Sequence, residues 1–146
     1  MKKKIILLVE DDPNDIDLTK RAFKKSKITE DIKIIVAHDG FEALNYLNGN
    51  SRNKDRITNF IPKIILLDLN LPKMTGLELL KHIRANKKSE LIPVVILSSS
   101  KEEQDIVNAY KLGANSYIRK PVDFKKFSSV AQQLGSYWVG LNEPLP

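Results

Sequence analysis

Apolar residues in this chain gather into short runs at regular intervals, and the segments between the runs carry helical spacing. Ile5-Ile6-Leu7-Leu8-Val9, Ile32-Lys33-Ile34-Ile35-Val36-Ala37, Ile64-Ile65-Leu66-Leu67 and Pro93-Val94-Val95-Ile96-Leu97 read as strands, with Ser116-Tyr117-Ile118 as a shorter fifth. Most of these runs are continuous rather than alternating, which marks strands covered on both faces. Pro13 to Ser26 has Ile16, Thr19 and Phe23 along one stripe, Asp39-Gly40 reads as a loop, and Phe41 to Leu47 turns Leu44 and Leu47 inward. The segment that follows Gly76 places Leu77, Leu80 and Ile83 on one face. Lys101 to Leu112 spaces Ile106, Ala109 and Tyr110 for burial, with Gly113 as a helix stop. The last helix starts at Asp123 as N-cap and runs its apolar stripe through Phe127, Val130, Ala131, Leu134 and Trp138. Asn48 to Phe60 is polar and without period, and reads as a long surface loop.

Strands alternating with helices predict an α/β fold, a parallel sheet covered on both faces. Right-handed crossovers favour a flavodoxin-like doubly wound sheet of five strands in the order 2-1-3-4-5, with five helices. The first and third strands are then neighbours at the switch point, where such sheets place their chemistry.

At 146 residues, 42% hydrophobic and 29% charged, the chain has the composition of one globular domain. No apolar run is long enough to cross a bilayer or to serve as a signal peptide, and there is no cysteine for disulfides or thiolate metal sites. A cytoplasmic location is the expectation, with no membrane partner. The net charge of +6 raises a nucleic-acid reading, but the lysines are dispersed over helix faces and helix ends and no nucleic-acid motif accompanies them. Nucleic-acid binding is therefore not expected.

The strand ends carry the chemistry. The first strand closes on Glu10-Asp11-Asp12-Pro13, and the central one on Asp68, followed by Leu69-Asn70-Leu71-Pro72-Lys73-Met74-Thr75-Gly76. A helix start accounts for one of the three consecutive acids, since helix N-termini tolerate anions and Pro13 suits a first turn. It does not account for all three, because like charges at the end of a buried strand repel. A divalent cation does account for them. In the 2-1-3-4-5 order Glu10, Asp11 and Asp68 converge, and oxygen donors without histidine or cysteine describe a hard-cation site, magnesium foremost. The remaining strand ends add the Ser98 hydroxyl and the Lys120 ammonium. Acid, cation, hydroxyl and lysine together suit phosphoryl transfer to a carboxylate, with Asp68 attacking in line.

As a set, Glu10-Asp11-Asp12-Pro13, Leu67-Asp68-Leu69-Asn70-Leu71-Pro72 with Gly76, Ser98 and Lys120-Pro121 resemble the motifs of two-component response-regulator receiver domains, in that family's order and approximate spacing. The resemblance implies that Asp68 is the phosphoacceptor for a sensor histidine kinase. It implies Mg²⁺ held by Glu10, Asp11, Asp68 and the main-chain carbonyl of Asn70. Ser98 becomes the switch hydroxyl (Ser99 and Ser100 being chemically equivalent candidates), Lys120 the phosphate-contacting lysine and Tyr117 the aromatic switch, which turns inward as Ser98 moves and alters the surface of the fourth helix, fifth strand and fifth helix. His38 and His82 match no motif position. Glu10 stands where an aspartate is common, a variant that preserves water-mediated metal binding.

Residues 1–136 are read as the receiver domain and 137–146 as a short tail with no effector domain, so a stand-alone, chemotaxis-receiver-like protein is expected. The long loop and the Trp138-bearing tail are similar to small receivers partnered with phytochrome-type kinases. Trp138 and Tyr137 near an exposed end suggest a homodimer through the last helix and tail. Two rival chemistries fit less well. A phosphatase with an aspartyl nucleophile wants a second acid two residues on, where this chain has Asn70, whose amide cannot donate that proton. A flavin-binding module wants a Ser/Thr/Gly-rich loop after the first strand, and that loop is acidic here. A receiver that only drains phosphate from a shared kinase has the same residues as one with an output.

Overall fold

The computed structural model describes residues 4–25, 32–49, 61–121 and 123–144. Its parallel sheet has the order β2-β1-β3-β4-β5, built from β1 (Lys4–Val9), β2 (Ile32–Ala37), β3 (Ile64–Leu67), β4 (Val94–Ser98) and β5 (Ser116–Arg119). The helices are α1 (Pro13–Lys25), α2 (Gly40–Leu47), α3 (Gly76–Ala85), α4 (Glu103–Lys111) and α5 (Phe124–Leu134). Order and element count match the expectation. Of the expected loop from Asn48 to Phe60, residues 50–60 lie outside the described residues, as do Ser26 at the expected end of the first helix and the last two residues of the tail.

Continuous apolar strands need cover on both sides, and the pleat divides each run between two cores. Leu7, Val9, Ile65, Leu67, Val94 and Ile96 face α2, α3 and α4, meeting Ala43, Tyr46, Leu79, Leu80, Ile83 and Ala109. Ile6, Leu8, Ile64, Leu66, Val95 and Leu97 face the other way, onto Ala22 and Phe23 of α1 and Phe127, Ala131 and Leu134 of α5. Every residue of β3 is at most 1% exposed. Burying each such side chain stabilises the fold by about 2 kcal/mol. A one-residue slip of β3 would exchange the two cores, so this burial also fixes register. In the observed register Leu67 lies beside Val9 and Ile96, which brings the ends of β1, β3 and β4 level.

Four details differ from the sequence reading. Asp39, expected in a loop, is the N-cap of α2, its side chain accepting from the Glu42 N–H, and the helix begins at Gly40. Leu44 and Leu47 are only half-buried, and Ala43 and Tyr46 take the inward positions. Tyr110 is exposed rather than buried: α4 lies at the sheet edge over half-exposed β5 and buries Ala109 alone, so its apolar stripe is narrower than helical spacing suggests. The backbone does not leave its helix at residue 136. α5 continues as a π-helical segment, Gly135–Leu141, whose Val139 is buried and whose Val139 carbonyl accepts from Lys4 Nζ at 3.1 Å. Trp138 packs half-buried against the α1/α5 core, edge-on to the exposed Tyr137 ring. Among the described residues no helix is long and apolar enough to cross a membrane.

Candidate functional site

Four of the five strands deliver a polar residue from their carboxyl ends to the same crevice. Glu10 follows β1, Asp68 follows β3, Ser98 ends β4 and Lys120 follows β5. Three of these residues stay tied to the ladder by their own N–H groups. Glu10 donates to the Ala37 carbonyl (3.0 Å), Asp68 to that of Val9 (3.1 Å) and Lys120 to that of Ser98 (2.9 Å). Their side chains therefore start from a rigid sheet rather than a loop.

Carboxylate oxygens of Glu10, Asp11 and Asp68 lie within 4.8 Å of one another, with Glu10 and Asp68 buried and Asp11 exposed at the rim. Asp12 stays out of the group: it faces solvent and its side chain accepts from the Asn14 N–H at 2.8 Å, which caps α1. One of the consecutive acids thus serves the helix and two serve the crevice. Asn70 donates its N–H to Asp68 Oδ1 at 3.2 Å. The loop that carries it is locked by buried Leu69 and Met74, by the Gly76 N–H on the Leu69 carbonyl (2.9 Å), and by a left-handed residue at Lys73, φ 68°. Gly76 has no substitute there, since a Cβ would run into the Asp68 carbonyl and the Leu69 backbone.

Lys120 lies across the acids. Its Nζ is 2.6 Å from Glu10 Oε1, 2.9 Å from Asp15 Oδ2 and 3.4 Å from Asp68 Oδ2. Burial alone lowers an ammonium pKa, but the bonds to Glu10 and Asp15 and the charge of Asp68 overcome it and hold Lys120 above the usual lysine range. Glu10 is pushed up to about 7, chiefly by burial and further by Asp68, against the opposing pull of Lys120. More negative charge is gathered here than one ammonium balances. The donor set is all oxygen and the acids are in excess, which fits a hard divalent cation.

Asp15 was not anticipated from the sequence. It stands in the first turn of α1, where an acid is ordinary, and nothing in the sequence separates it from an acid placed there to suit the helix N-terminus. Ser98 is fully buried, and its Oγ accepts from the Ser100 N–H at 3.1 Å. Tyr117 is already half-buried, with its hydroxyl donating to the Ser100 carbonyl at 3.1 Å. Ser100 Oγ donates in turn to Asp105 of α4 at 2.6 Å, so one chain of bonds leads from Ser98 to the start of that helix. His38 pairs with Glu42 on the surface and His82 is exposed, both apart from the crevice.

Residues 6–132 match the response regulator receiver domain family. The chain belongs to that family. It is 38% identical over 138 residues to response regulator Rcp1 of Synechocystis sp., covering 93% of this chain and 89% of that one. The crystal structure of the Mn²⁺-bound form of response regulator Rcp1 superposes with a TM-score of 0.85 at 35% identity, over 98% of this chain and 99% of that one. The phosphorylated cyanobacterial phytochrome response regulator RcpA gives a TM-score of 0.86 at 35% identity, over 99% of each chain. The receiver resemblance read from the motifs and the flavodoxin-like fold are thereby both established. An acidic divalent-cation site at this position is consistent with the manganese-bound relative.

Proposed function

We propose that this chain is a stand-alone cytoplasmic receiver of a two-component phosphorelay, phosphorylated on Asp68 by a sensor histidine kinase. A phytochrome-type kinase is the favoured partner, in keeping with the phytochrome response regulator among its structural neighbours. The observation that carries this reading is the meeting of Asp68 with the Lys120 ammonium and two further metal-competent acids at adjoining strand ends. Glu10, Asp11, Asp68 and the Asn70 carbonyl are the residues that would hold Mg²⁺, which when bound supplies positive charge beside the transferring phosphoryl oxygens.

Asp68 is the nucleophile: one of its oxygens forms the new P–O bond as the P–N bond of a phosphohistidine breaks, and the imidazole leaves with the electron pair. The neighbouring ladder bond and the Asn70 N–H hold the carboxylate in place for in-line attack. Lys120 offers its charge to the phosphoryl oxygens. The chain thus promotes its own phosphorylation, and its own dephosphorylation when a water attacks the phosphorus in line, forming a new O–P bond as the P–O bond to Asp68 breaks and the carboxylate leaves with the electron pair. Ser98 turns its hydroxyl toward the new phosphoryl group and gives up the Ser100 N–H. The Ser98–Ser100–Tyr117 chain then rearranges and resets the surface formed by α4, β5 and α5. Exposed Tyr137 and Leu141 support self-association through α5 and the tail, which light scattering with and without a phosphoryl analogue checks.

The deciding experiment is intact mass after incubation with acetyl phosphate, with and without Mg²⁺, for wild type and Asp68→Asn. The expected result is a single phosphoryl adduct that needs Mg²⁺ and is absent from the variant. Repeated turnover of the donor with no retained adduct would favour a phosphatase-like hydrolase instead. An adduct that leaves α4, β5 and α5 unchanged by amide exchange would favour a phosphate sink without output.

A further inference from the structure

Lys120 has three N–H donors, and the structure gives each a carboxylate: Glu10, Asp15 and Asp68. Two of those acceptors change role if Asp68 takes a phosphoryl group. Asp68 becomes the acyl phosphate, and Glu10 belongs to the acids grouped for a cation. Asp15 is neither the acceptor nor one of the grouped acids, and it alone reaches Lys120 from a helix rather than from a strand end. Its backbone is fixed as well, because the buried Thr19 hydroxyl donates to the Asp15 carbonyl at 2.7 Å one turn along α1.

We propose that Asp15 is the positioning residue for Lys120, the fixed anchor that keeps the ammonium in the crevice while its other two partners are drawn into phosphoryl transfer. This rests on the receiver reading for its consequence, though not for the anchoring itself. A long, flexible lysine side chain loses considerable rotamer entropy on being fixed. With Glu10 and Asp68 engaged elsewhere, only a charge-assisted hydrogen bond that the ammonium donates to a third acid would hold it aimed at the transferring group. At 2.9 Å, with Asp15 half-buried and Lys120 mostly so, the pair is sheltered enough to resist screening by salt.

The test compares wild type, Asp15→Asn and Asp17→Asn. The last is a matched control, since Asp17 lies on the solvent face of the same helix and pairs with exposed Arg21 at 3.6 Å. Two readouts are taken on the full chain: the maximal rate of adduct formation from acetyl phosphate at saturating Mg²⁺, and hydrogen exchange of the Lys120 ammonium by ¹⁵N NMR, assigned through loss of the signal in Lys120→Arg. Asp15→Asn is expected to lower the maximal rate about tenfold, with little change in the donor concentration for half-maximal rate. It should also speed ammonium exchange about tenfold, while Asp17→Asn changes neither. An Asp15→Asn protein with wild-type exchange and a wild-type rate overturns the proposal. So does one whose rate falls while exchange stays slow, because Lys120 would then still be anchored. If the wild type takes no phosphoryl group, the proposed phosphoacceptor role of Asp68 fails, and the exchange measurement still decides the anchor by itself.

Discussion

Two cations are drawn into this fold, and they are held in opposite ways. Lys120, at the carboxyl ends of the strands, is satisfied by three carboxylates, with a fourth acid, Asp11, at the rim. Arg84, on α3, is satisfied without any ionised partner among the described residues. Its Nε donates to the Gly113 carbonyl (2.9 Å), Nη1 to the carbonyls of Glu90 (3.0 Å) and Ile92 (2.8 Å), and Nη2 to Asn115 Oδ1 (2.9 Å). Asn115 Oδ1 also accepts from the Val94 N–H, so the guanidinium clasps the α3–β4 connection to the α4–β5 turn. Burial lowers the Arg84 pKa, whereas the surrounding acids raise that of Lys120. A buried charge met by neutral dipoles is complete and has no further chemistry to offer. One met by an excess of anions leaves room for more positive charge, which is what separates the crevice end of this sheet from the end that Arg84 clasps.

The largest effect expected from breaking this contrast is at Lys120. Lys120→Met removes the ammonium and should slow adduct formation from acetyl phosphate about a hundredfold, read by intact mass. Arg84→Ala should do the reverse, lowering stability by about 3 kcal/mol in urea unfolding while the adduct forms at the wild-type rate in native buffer. Arg84→Lys keeps the charge but not the planar fork, and should recover less than half of that loss. Loss of phosphorylation in a folded Arg84→Ala protein would erase the distinction between the two ends. Gly113→Ala is a finer probe of the clasp. Gly113 has φ 105°, and a Cβ there would sit 2.9 Å from Arg84 Nε, so the variant combines backbone strain with displacement of the guanidinium. A loss of about 2 kcal/mol is expected, of which the backbone strain, about 1 kcal/mol, should remain in the Arg84→Ala background while the part due to displacing the guanidinium disappears.

The same contrast explains what could be read from the sequence. Runs such as Ile64–Leu67 announce buried parallel strands by composition alone, and the topology then places Glu10, Asp11, Asp68, Ser98 and Lys120 at neighbouring strand ends. Strand-end chemistry is legible because its position follows from the sheet. Helix-borne partners are not, since their direction depends on how the helix is rotated against the sheet. Asp15 looked like any acid in a first turn, and Arg84 like any cation in a last turn, where the helix dipole favours one anyway. Tyr110 failed for the related reason that helical spacing gives a face but not the depth of cover over an edge strand. Asp39 next to Gly40 resembled a turn, and only the structure shows its carboxylate capping α2.

Asp39 also supplies the mildest case, a cation held at the surface. Its Oδ2 pairs with Lys73 Nζ at 3.2 Å, with the lysine side chain 66% exposed, while Oδ1 accepts from the Glu42 N–H at 2.8 Å. The bond from the Glu42 N–H, offset in part by burial and assisted by Lys73, holds the Asp39 carboxyl below the usual aspartate range. A carboxylate with a depressed folded-state pKa adds stability that is present above its unfolded pKa and is lost as pH falls through the folded one. Asp39→Asn retains the capping oxygen but not the charge, so it should cost only about 0.5 kcal/mol near pH 7. That difference should begin to close as the pH falls through about 3.9, the ordinary aspartate value that holds in the unfolded chain, and go on closing as the pH approaches the lower folded value. Urea midpoints for the two proteins at pH 7 and pH 3 check this. A gap that persisted unchanged at pH 3 would mean that the carboxylate charge contributes nothing and that the hydrogen-bond geometry of the cap carries the whole effect.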